Sequence, residues 1–217
     1  MEWLKENLDR IRKPESKPMG MALILSAAAL TAGVVLGLVS KWLDNLVYEE
    51  AVSWHRILER LDLGNFLSDL PFWLLAALLI AVFSYTAGWA ALNVFLFFAG
   101  MCVSYHLYTI IFSSFNPQSY MMIWYAITLV SPLLAVFCWY ARGEGMIALI
   151  LDTGIMAVFA VSCFAMGYFY VSMRGPLYLL MYIGAAAVLH RPLRQMLPVL
   201  AGGFVLALIA SPYWPYL

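Results

Sequence analysis

The stretch from residue 70 to residue 141 holds 72 consecutive residues without one Asp, Glu, Lys or Arg. A soluble domain carries roughly 25% charged residues, so no water-exposed face can be built from this stretch. The whole chain has only 11% charged residues against 65% hydrophobic ones. Its net charge is zero, which provides no basic field for a nucleic acid. We therefore predict a multi-pass protein of the cell membrane.

The apolar residues fall into pieces that are each long enough to cross a membrane. A helix needs about 20 apolar residues to span the hydrocarbon core, where it satisfies its own backbone hydrogen bonds. We predict an all-α, polytopic transmembrane helical bundle of about seven spans. Cut at charges and turn residues, the spans are 19–40, 71–88, 90–112, 120–141, 146–170, 174–190 and 196–213. The first has no cleavage site beside it, so we expect a retained span and not a signal peptide.

The distribution of Lys and Arg gives an orientation, because cytoplasmic segments hold the excess. With the N-terminus inside, eight of these residues lie in inner segments and four in outer ones. The inner set is Lys5, Arg10, Arg12, Lys13, Lys17, Arg142, Arg191 and Arg194, and the outer set is Lys41, Arg56, Arg60 and Arg174. We predict the N-terminus in the cytoplasm and the C-terminus outside.

Six tryptophans provide a check on these boundaries. Indole rings prefer the headgroup layer, so they should stand at the ends of spans. All six fall within a few residues of an expected helix end: Trp42, Trp73, Trp89, Trp124, Trp139 and Trp214.

Two segments outside the spans carry apolar residues on one helical face, which predicts amphipathic helices lying on the membrane surface. The first belongs to a cytoplasmic segment, residues 1–18. The second, at 42–62, lies on the outer side of a single transmembrane domain that comprises residues 19–217. This outer helix either caps a cavity or only tethers the first span to the second.

Ionisable groups inside a bilayer are costly, so each is a candidate for function. Asp152 stands six residues into the fifth span, while Asn93 on the third span and His190 at the inner end of the sixth should lie in the same leaflet. Together they would form a cluster that binds a cation or relays a proton. The alternative is that an Arg or backbone groups satisfy Asp152, which then only fixes helix packing.

A second candidate binding site lies near the outer end of the third span. His106 follows Tyr105 there, and Tyr108 comes two residues later. An outward-facing site rich in tyrosine would suit a small planar or cationic ligand through stacking and cation-π contacts. Tyrosines are also common at membrane interfaces for their amphipathic character alone, so both interpretations stay open.

The chain has no residue pattern that indicates catalysis. Its cysteines, Cys102, Cys138 and Cys163, lie in apolar runs without C-x-x-C spacing and are expected to be packed as small hydrophobic residues. Asp152 begins an Asp-Thr-Gly string of the aspartic-protease kind, but no second intramembrane carboxylate exists to share its proton. Serine-triad, zinc-protease and nucleotide-binding motifs are missing from the sequence. We expect no enzyme activity, no metal site and no cofactor.

Small residues recur every four positions on two spans, a spacing that lets helix backbones approach closely. They are Ala29, Gly33 and Gly37 on the first span and Gly203, Ala207 and Ser211 on the seventh. Ordinary packing within the chain is the favoured interpretation. Alternatively, Gly33 and Gly37 dock a partner subunit or a second copy of the chain.

The segment 72–109, FWLLAALLIAVFSYTAGWAALNVFLFFAGMCVSYHLYT, has three features of a known family. These are Trp73 after the outer amphipathic segment, the string Ala-Ala-Leu-Asn-Val-Phe-Leu-Phe after a short turn, and Gly-Met followed by Ser-Tyr. In these features it resembles a domain-of-unknown-function family of small multi-pass membrane proteins from Gram-positive bacteria. Relatives have Pro with Lys or Arg in the turn where this chain has Ala87, Gly88 and Trp89. The resemblance implies a bacterial membrane protein and no particular activity.

The spacing of Ala28 and Ala32 is similar to a motif in the substrate-binding subunits of energy-coupling-factor transporters, which use it to meet a coupling subunit. Those subunits have six spans, against about seven here. From Asp152 and the outer aromatic residues, we predict binding or transport of a small solute across the cell membrane. The alternative is a non-catalytic membrane subunit or assembly partner of a larger complex.

Overall fold

Apolar segments of this chain fold into helices, because a bilayer offers a backbone no water to bind. The computed structural model describes residues 2–47, 53–113, 117–167 and 170–213. The helices are α1 (Glu2–Ile11), α2 (Met19–Asp44), α3 (Ser53–Leu61), α4 (Leu63–Ser68), α5 (Leu70–Val82), α6 (Ala87–Ser113), α7 (Gln118–Ala141), α8 (Gly145–Cys163), α9 (Pro176–Val188) and α10 (Leu193–Ala210). Strands β1 (Phe164–Gly167) and β2 (Tyr170–Met173) form a hairpin between α8 and α9, and a 3-10 turn, Ser211–Tyr213, follows α10.

The bundle has two ends, which we name by the helices found there. The α1 side holds α1 and the turns that follow α5, α7 and α9. The α3 side, opposite, holds α3, α4 and the hairpin.

Five helices, α2, α6, α7, α8 and α10, are long and apolar enough to cross a membrane. Helices α5 and α9 have only 13 residues each. At 1.5 Å per residue each measures about 20 Å, which is less than the hydrocarbon core of about 30 Å. The protein is therefore an all-α membrane bundle in which, among the described residues, five full-length helices pack together with two short apolar ones.

The two short helices contact each other and are covered on the α3 side by separate pieces of structure. α4 precedes α5, and Asp69 between them caps α5 by accepting a hydrogen bond from the Leu70 backbone at 2.8 Å. The hairpin precedes α9. These coverings meet, since the rings of Phe66 and Tyr178 have centroids 5.3 Å apart and Arg174 Nη1 lies 3.3 Å from Asp69 Oδ2.

The hairpin replaces part of a helix that the sequence predicts. The fifth span was expected over 146–170, but α8 ends at Cys163 and Phe164 pairs with Met173 in an antiparallel ladder. Aromatic and β-branched side chains in this segment favour strands. Gly167 allows the Tyr170 ring to approach the backbone, where a Cβ would collide with it. The prediction is therefore wrong beyond the end of α8.

The turn between α5 and α6 falls earlier than predicted. The pattern places it at 86–89, but the next helix already begins at Ala87. Thr86 caps that helix, because its Oγ1 accepts a backbone N–H of the first helical turn at 3.2 Å. The carbonyl of Ser84 in this turn accepts a hydrogen bond from Trp139 Nε1 at 2.8 Å. Hydroxyl residues mark the turn, and the glycine that follows lies inside α6.

The predicted outer helix at 42–62 is divided. α2 continues out of the apolar stretch to Asp44, and α3 begins after residues 48–52, which lie outside the described part of the chain. Trp54 and Ile57 on α3 are exposed. Their exposure suits a helix that lies on a membrane surface.

Three tryptophans expected in the headgroup layer have their rings inside the bundle. Trp73, Trp124 and Trp139 are 2%, 7% and 1% exposed. They do lie near helix ends, but the indole of Trp73 donates to the Leu67 carbonyl at 2.7 Å, and that of Trp139 binds the α5–α6 turn. The indole N–H groups of Trp73 and Trp139 thus bind carbonyls of the connecting segments and not lipid headgroups. Trp214 lies outside the described residues.

Helices α2 and α6 approach each other closely through glycines. A Cβ on Gly33 would overlap the carbonyl oxygen of Phe97, and a Cβ on Gly37 would overlap the Ser104 hydroxyl. Gly100 on α6 meets the backbone of α2 in the same way. The small-residue spacing of the first span therefore serves packing within the chain.

Gly33→Ala should lower the stability of the bundle, because the added methyl group forces α2 away from α6. Overpacking of this kind costs about 1–3 kcal/mol, which corresponds to several degrees in Tm for a chain of this size. Gly20→Ala on the same helix is the matched control, since Gly20 has open space around it. Thermal unfolding of both variants in one detergent measures the difference, and equal Tm values would contradict the close packing.

Candidate functional site

Asp152, the buried acid predicted on the fifth span, forms an ion pair with Arg191. Asp152 is 0% exposed, and its Oδ2 accepts a hydrogen bond from Arg191 Nε. Arg191 belongs to the α9–α10 turn, and its Nη2 also donates to the carbonyls of Ala141 at 2.6 Å and Gly143 at 3.1 Å. Ala141 is the last residue of α7 and Gly143 follows it, so helix geometry leaves both carbonyls without a helical partner. Arg191 thus clamps α7, α8 and the turn before α10 together.

The second oxygen of this carboxylate, Asp152 Oδ1, is buried and has no hydrogen-bond partner among the described residues. A buried ion pair adds little net stability when both partners are present, because both ions lose their hydration. Removing one partner lowers the stability of the fold strongly, since the other charge then stays buried and unpaired. The pair therefore acts mainly as a positional constraint on the α1 side.

Arg12 makes a second clamp at the same end of the bundle. Its Nη1 donates to the Trp139 carbonyl and its Nη2 to the Val82 carbonyl, both at 2.8 Å. The guanidinium carbon also lies 4.4 Å from the centre of the Trp139 ring. Burial lowers the pKa of Arg12, and the positive charge of Arg142 acts in the same direction. Arg12 therefore ties the segment after α1 to the final turns of both α5 and α7.

Asn93 belongs to a separate hydrogen-bond network that links α2 to the α5–α6 turn. Its Oδ1 accepts from the Ser26 hydroxyl at 2.6 Å, and its Nδ2 donates to Ser84 Oγ at 3.1 Å. Ser84 Oγ in turn donates to the Ile80 carbonyl at 2.7 Å. This amide is buried and has partners for both of its polar atoms.

The structure does not bring Asn93, Asp152 and His190 into one hydrogen-bonded cluster. Asn93 faces α2, Asp152 is paired with Arg191, and His190 is exposed just after α9. All three belong to the half of the bundle nearest α1, as predicted, but they point in different directions. The expected alternative, in which an arginine satisfies Asp152, matches the observed contact.

Tyr105, a member of the predicted outer site, lies against charged residues on the α3 side. Lys41 Nζ lies 5.3 Å from the centre of its ring and also forms an ion pair with Asp44 at 2.5 Å. The rings of Tyr105 and Tyr120 have centroids 6.3 Å apart. Lysine, carboxylate and two phenols thus form a compact polar layer.

His106 and Tyr108 contact other aromatic residues. His106 Nδ1 forms a hydrogen bond with the Tyr125 hydroxyl at 2.5 Å, and the Tyr108 ring packs against Phe112 with centroids 4.7 Å apart. Consecutive positions on a helix are about 100° apart, so the side chains of residues 105 and 106 face different neighbours. The three residues therefore do not line one binding site.

The cavity beside Tyr105 is too small for an organic solute. Its volume is about 10 Å³, which is at the lower end of the roughly 10–15 Å³ that a single water needs. The lining residues are Ser40, Leu67, Ser68, Trp73, Met101, Tyr105, Tyr120, Met121 and Trp124. Ser68 Oγ has no hydrogen-bond partner among the described residues, so one water molecule suits this space.

A much larger cavity, about 290 Å³, lies between α5, α6, α7 and α8. Its walls are almost entirely apolar. They comprise Leu74, Ala77, Leu78, Val94, Phe98, Ser131, Leu134, Ala135, Phe137, Cys138, Ile150, Leu151, Gly154, Ile155, Val158 and Phe159. We call this space the central cavity, because its residues lie in the middle turns of α7 and α8.

The central cavity opens between α7 and α8. Phe98 and Phe159 on its inner wall are each 2% exposed, whereas Leu134, Phe137 and Ile150 on the two outer helices are 47%, 43% and 63% exposed. In a bilayer these exposed side chains face acyl chains. The opening therefore leads into the membrane and not into water.

A proline and several small residues make room for the cavity. Pro132 lacks the N–H that would bind the Thr128 carbonyl, and the hydroxyl of Ser131 donates to that carbonyl at 2.8 Å instead. Ala135 and Gly154 then leave space between α7 and α8. Sequence reasoning missed this cavity because it followed polar residues, although a proline in the middle of one span and a glycine in the middle of the next were available signals.

No family model, curated protein or solved structure matches this chain. The fold and cavity define the class, a polytopic helical membrane protein. Its resemblance to a Gram-positive family of unknown function stays a prediction, as does the likeness to energy-coupling-factor subunits.

Arg191→Met should destabilise the protein strongly, because it leaves Asp152 buried without a cation. Breaking one side of a buried pair costs about 3–5 kcal/mol. The double variant Asp152→Asn with Arg191→Met should recover much of that loss, since no charge then remains. Thermal unfolding in one detergent measures all three proteins.

Arg174→Met is the matched control for this prediction, because the Arg174–Asp69 pair is partly exposed. A pair of that kind contributes at most about 1 kcal/mol. Equal losses from Arg174→Met and Arg191→Met would contradict the clamp described for Asp152.

Proposed function

We propose that the protein crosses the cell membrane seven times, with its N-terminus in the cytoplasm. Two observations support the count: α4 extends the reach of α5, and the hairpin extends that of α9. The eight-to-four excess of Lys and Arg on the α1 side supports the orientation.

We further propose that the protein binds a small apolar solute in the central cavity. A volume of about 290 Å³ is near the lower end of the range of roughly 300–1,000 Å³ for small-molecule sites. This single observation carries the proposal. The expected ligand has the size of one or two rings or a short branched chain.

The chemistry of the cavity walls excludes a charged solute. Its two polar side chains are Ser131, whose hydroxyl is already bonded to Thr128, and Cys138. A charge placed there would lose its hydration without gaining a partner. Asp152 and Asn93, on which an ionic ligand would have depended, have their own partners elsewhere.

The predicted function was binding or transport of a small solute, and the structure gives more support to binding than to transport. A lipophilic solute reaches the cavity directly from the bilayer through the α7–α8 opening. Passage to the α1 side would require the ends of α5 and α7 to separate, which breaks the hydrogen bonds of Arg12. We propose no catalytic role.

The alternative function, a non-catalytic subunit or assembly partner, has less support. Gly33 and Gly37, the residues predicted to dock a partner, pack against α6. A partner would have to use another surface of the bundle.

A thermal-shift series with naphthalene, 1-decanol and farnesol as probes tests the solute site. A probe that binds only the folded protein at 100 times its Kd stabilises by about 2.7 kcal/mol, which raises Tm by several degrees. Gly154→Phe should abolish that rise, because it places a ring at the cavity mouth. Nothing lies within contact distance of a Cβ at this position, so the variant should still fold.

Gly20→Phe is the matched control, since it adds the same ring to an open position outside the cavity. The control also corrects for partition of the probes into detergent. The proposal fails if none of the probes raises the Tm of the wild-type protein. A rise that survives in Gly154→Phe would likewise place the binding elsewhere.

A further inference from the structure

A second cavity, an open groove, runs along the outer surface where α8 and α10 meet. Its volume is about 510 Å³, and four residues from each helix line it. It is separate from the central cavity, although Ile150 borders both. The groove is not part of the proposed solute site.

The groove follows from short side chains along the contact between these helices. Gly203 brings α10 against α8, since a Cβ there would lie 3.0 Å from Met156 Cβ. Beside this contact, Thr153 and Pro198 line the groove without filling it. The surface is therefore indented where most helix pairs would present long side chains to lipid.

The length of the groove matches one leaflet of a bilayer. On α10 it extends from Gln195 to Leu206, which is about 16 Å at 1.5 Å per residue. Half of the hydrocarbon core measures about 15 Å. An acyl chain that lies in the groove would thus reach from the headgroup layer on the α1 side to the middle of the membrane.

The α1-side end of the groove carries positive charge. Arg194 precedes Gln195 and stands one helical turn before Pro198, and its side chain is exposed. Among the described residues it forms no ion pair or hydrogen bond. Arg142 and Glu144 in the α7–α8 turn are also exposed on this side and carry opposite charges, and the Arg142 guanidinium lies over the Phe83 ring. Arg194 is therefore the cation that a headgroup in the groove would meet.

From these observations we infer that the α8–α10 groove binds one phospholipid with an anionic headgroup. One acyl chain lies between the two helices, and the headgroup phosphate accepts hydrogen bonds from Arg194 and Gln195. An arginine near an anionic lipid surface contributes about 1 kcal/mol, which is roughly a five-fold preference over a zwitterionic lipid.

Native mass spectrometry of the purified chain with equal amounts of phosphatidylglycerol and phosphatidylcholine tests this site. The wild-type protein should retain phosphatidylglycerol about five-fold more than phosphatidylcholine. Arg194→Gln should bring that ratio close to one, because it removes the charge while the groove stays open. Arg142→Gln, at an exposed arginine on the same side, should leave the ratio unchanged.

Pro198→Trp fills the groove from its exposed wall and should abolish retention of both lipids. Loss of a proline from a helix interior does not weaken the helix, so this variant should fold. Equal retention of the two lipids by the wild-type protein would overturn the inference, and so would equal effects of Arg194→Gln and Arg142→Gln. A dimer that Pro198→Trp disrupts would assign the groove to a second copy instead.

Discussion

Backbone carbonyls without helical partners must find donors inside a protein wherever a bilayer excludes water. Several polar contacts of this chain answer that need. Arg12 binds the free carbonyls at the ends of α5 and α7, and Arg191 binds those that follow α7. Ser131 does the same within α7, where Pro132 has removed the usual donor. These charged and hydroxyl side chains thus act mainly as hydrogen-bond donors to backbone carbonyls.

This constraint changes how Asp152 is understood. Its carboxylate pairs with the buried guanidinium of Arg191, which also binds backbone carbonyls at the end of α7. The proposed solute site lies elsewhere, in the apolar cavity between α5, α6, α7 and α8, where polar groups are nearly missing from the walls. The buried charges of this bundle mark the contacts that hold its helices together, and its cavities lie away from them.

The sequence predicts the membrane class and the helical architecture because composition and run length respond directly to the bilayer. It is less informative where two elements compete for one apolar segment. The run after Cys163 is apolar enough for a helix, yet cross-strand pairing makes it a hairpin. Likewise, Gly88 suggested a turn, whereas capping by Thr86 starts the helix earlier.

The candidate site was only partly predictable, since depth can be read from sequence position but direction around the bundle cannot. Asn93, Asp152 and His190 lie toward the same side of the membrane and still face three different surroundings. Tyr105 reaches the polar layer with Lys41, while His106 binds Tyr125 on another face of the same helix. Which helices are neighbours decides such contacts, and that information appears only in the folded bundle.

The clamp made by Arg12 also sets an order of events during synthesis. Its two carbonyl partners, on Val82 and Trp139, lie 70 and 127 residues further along the chain. Arg12 therefore cannot make both contacts until α7 has been made and inserted. This clamp on the α1 side is therefore completed late in the assembly of the bundle, although Arg12 itself is made before both of its partners.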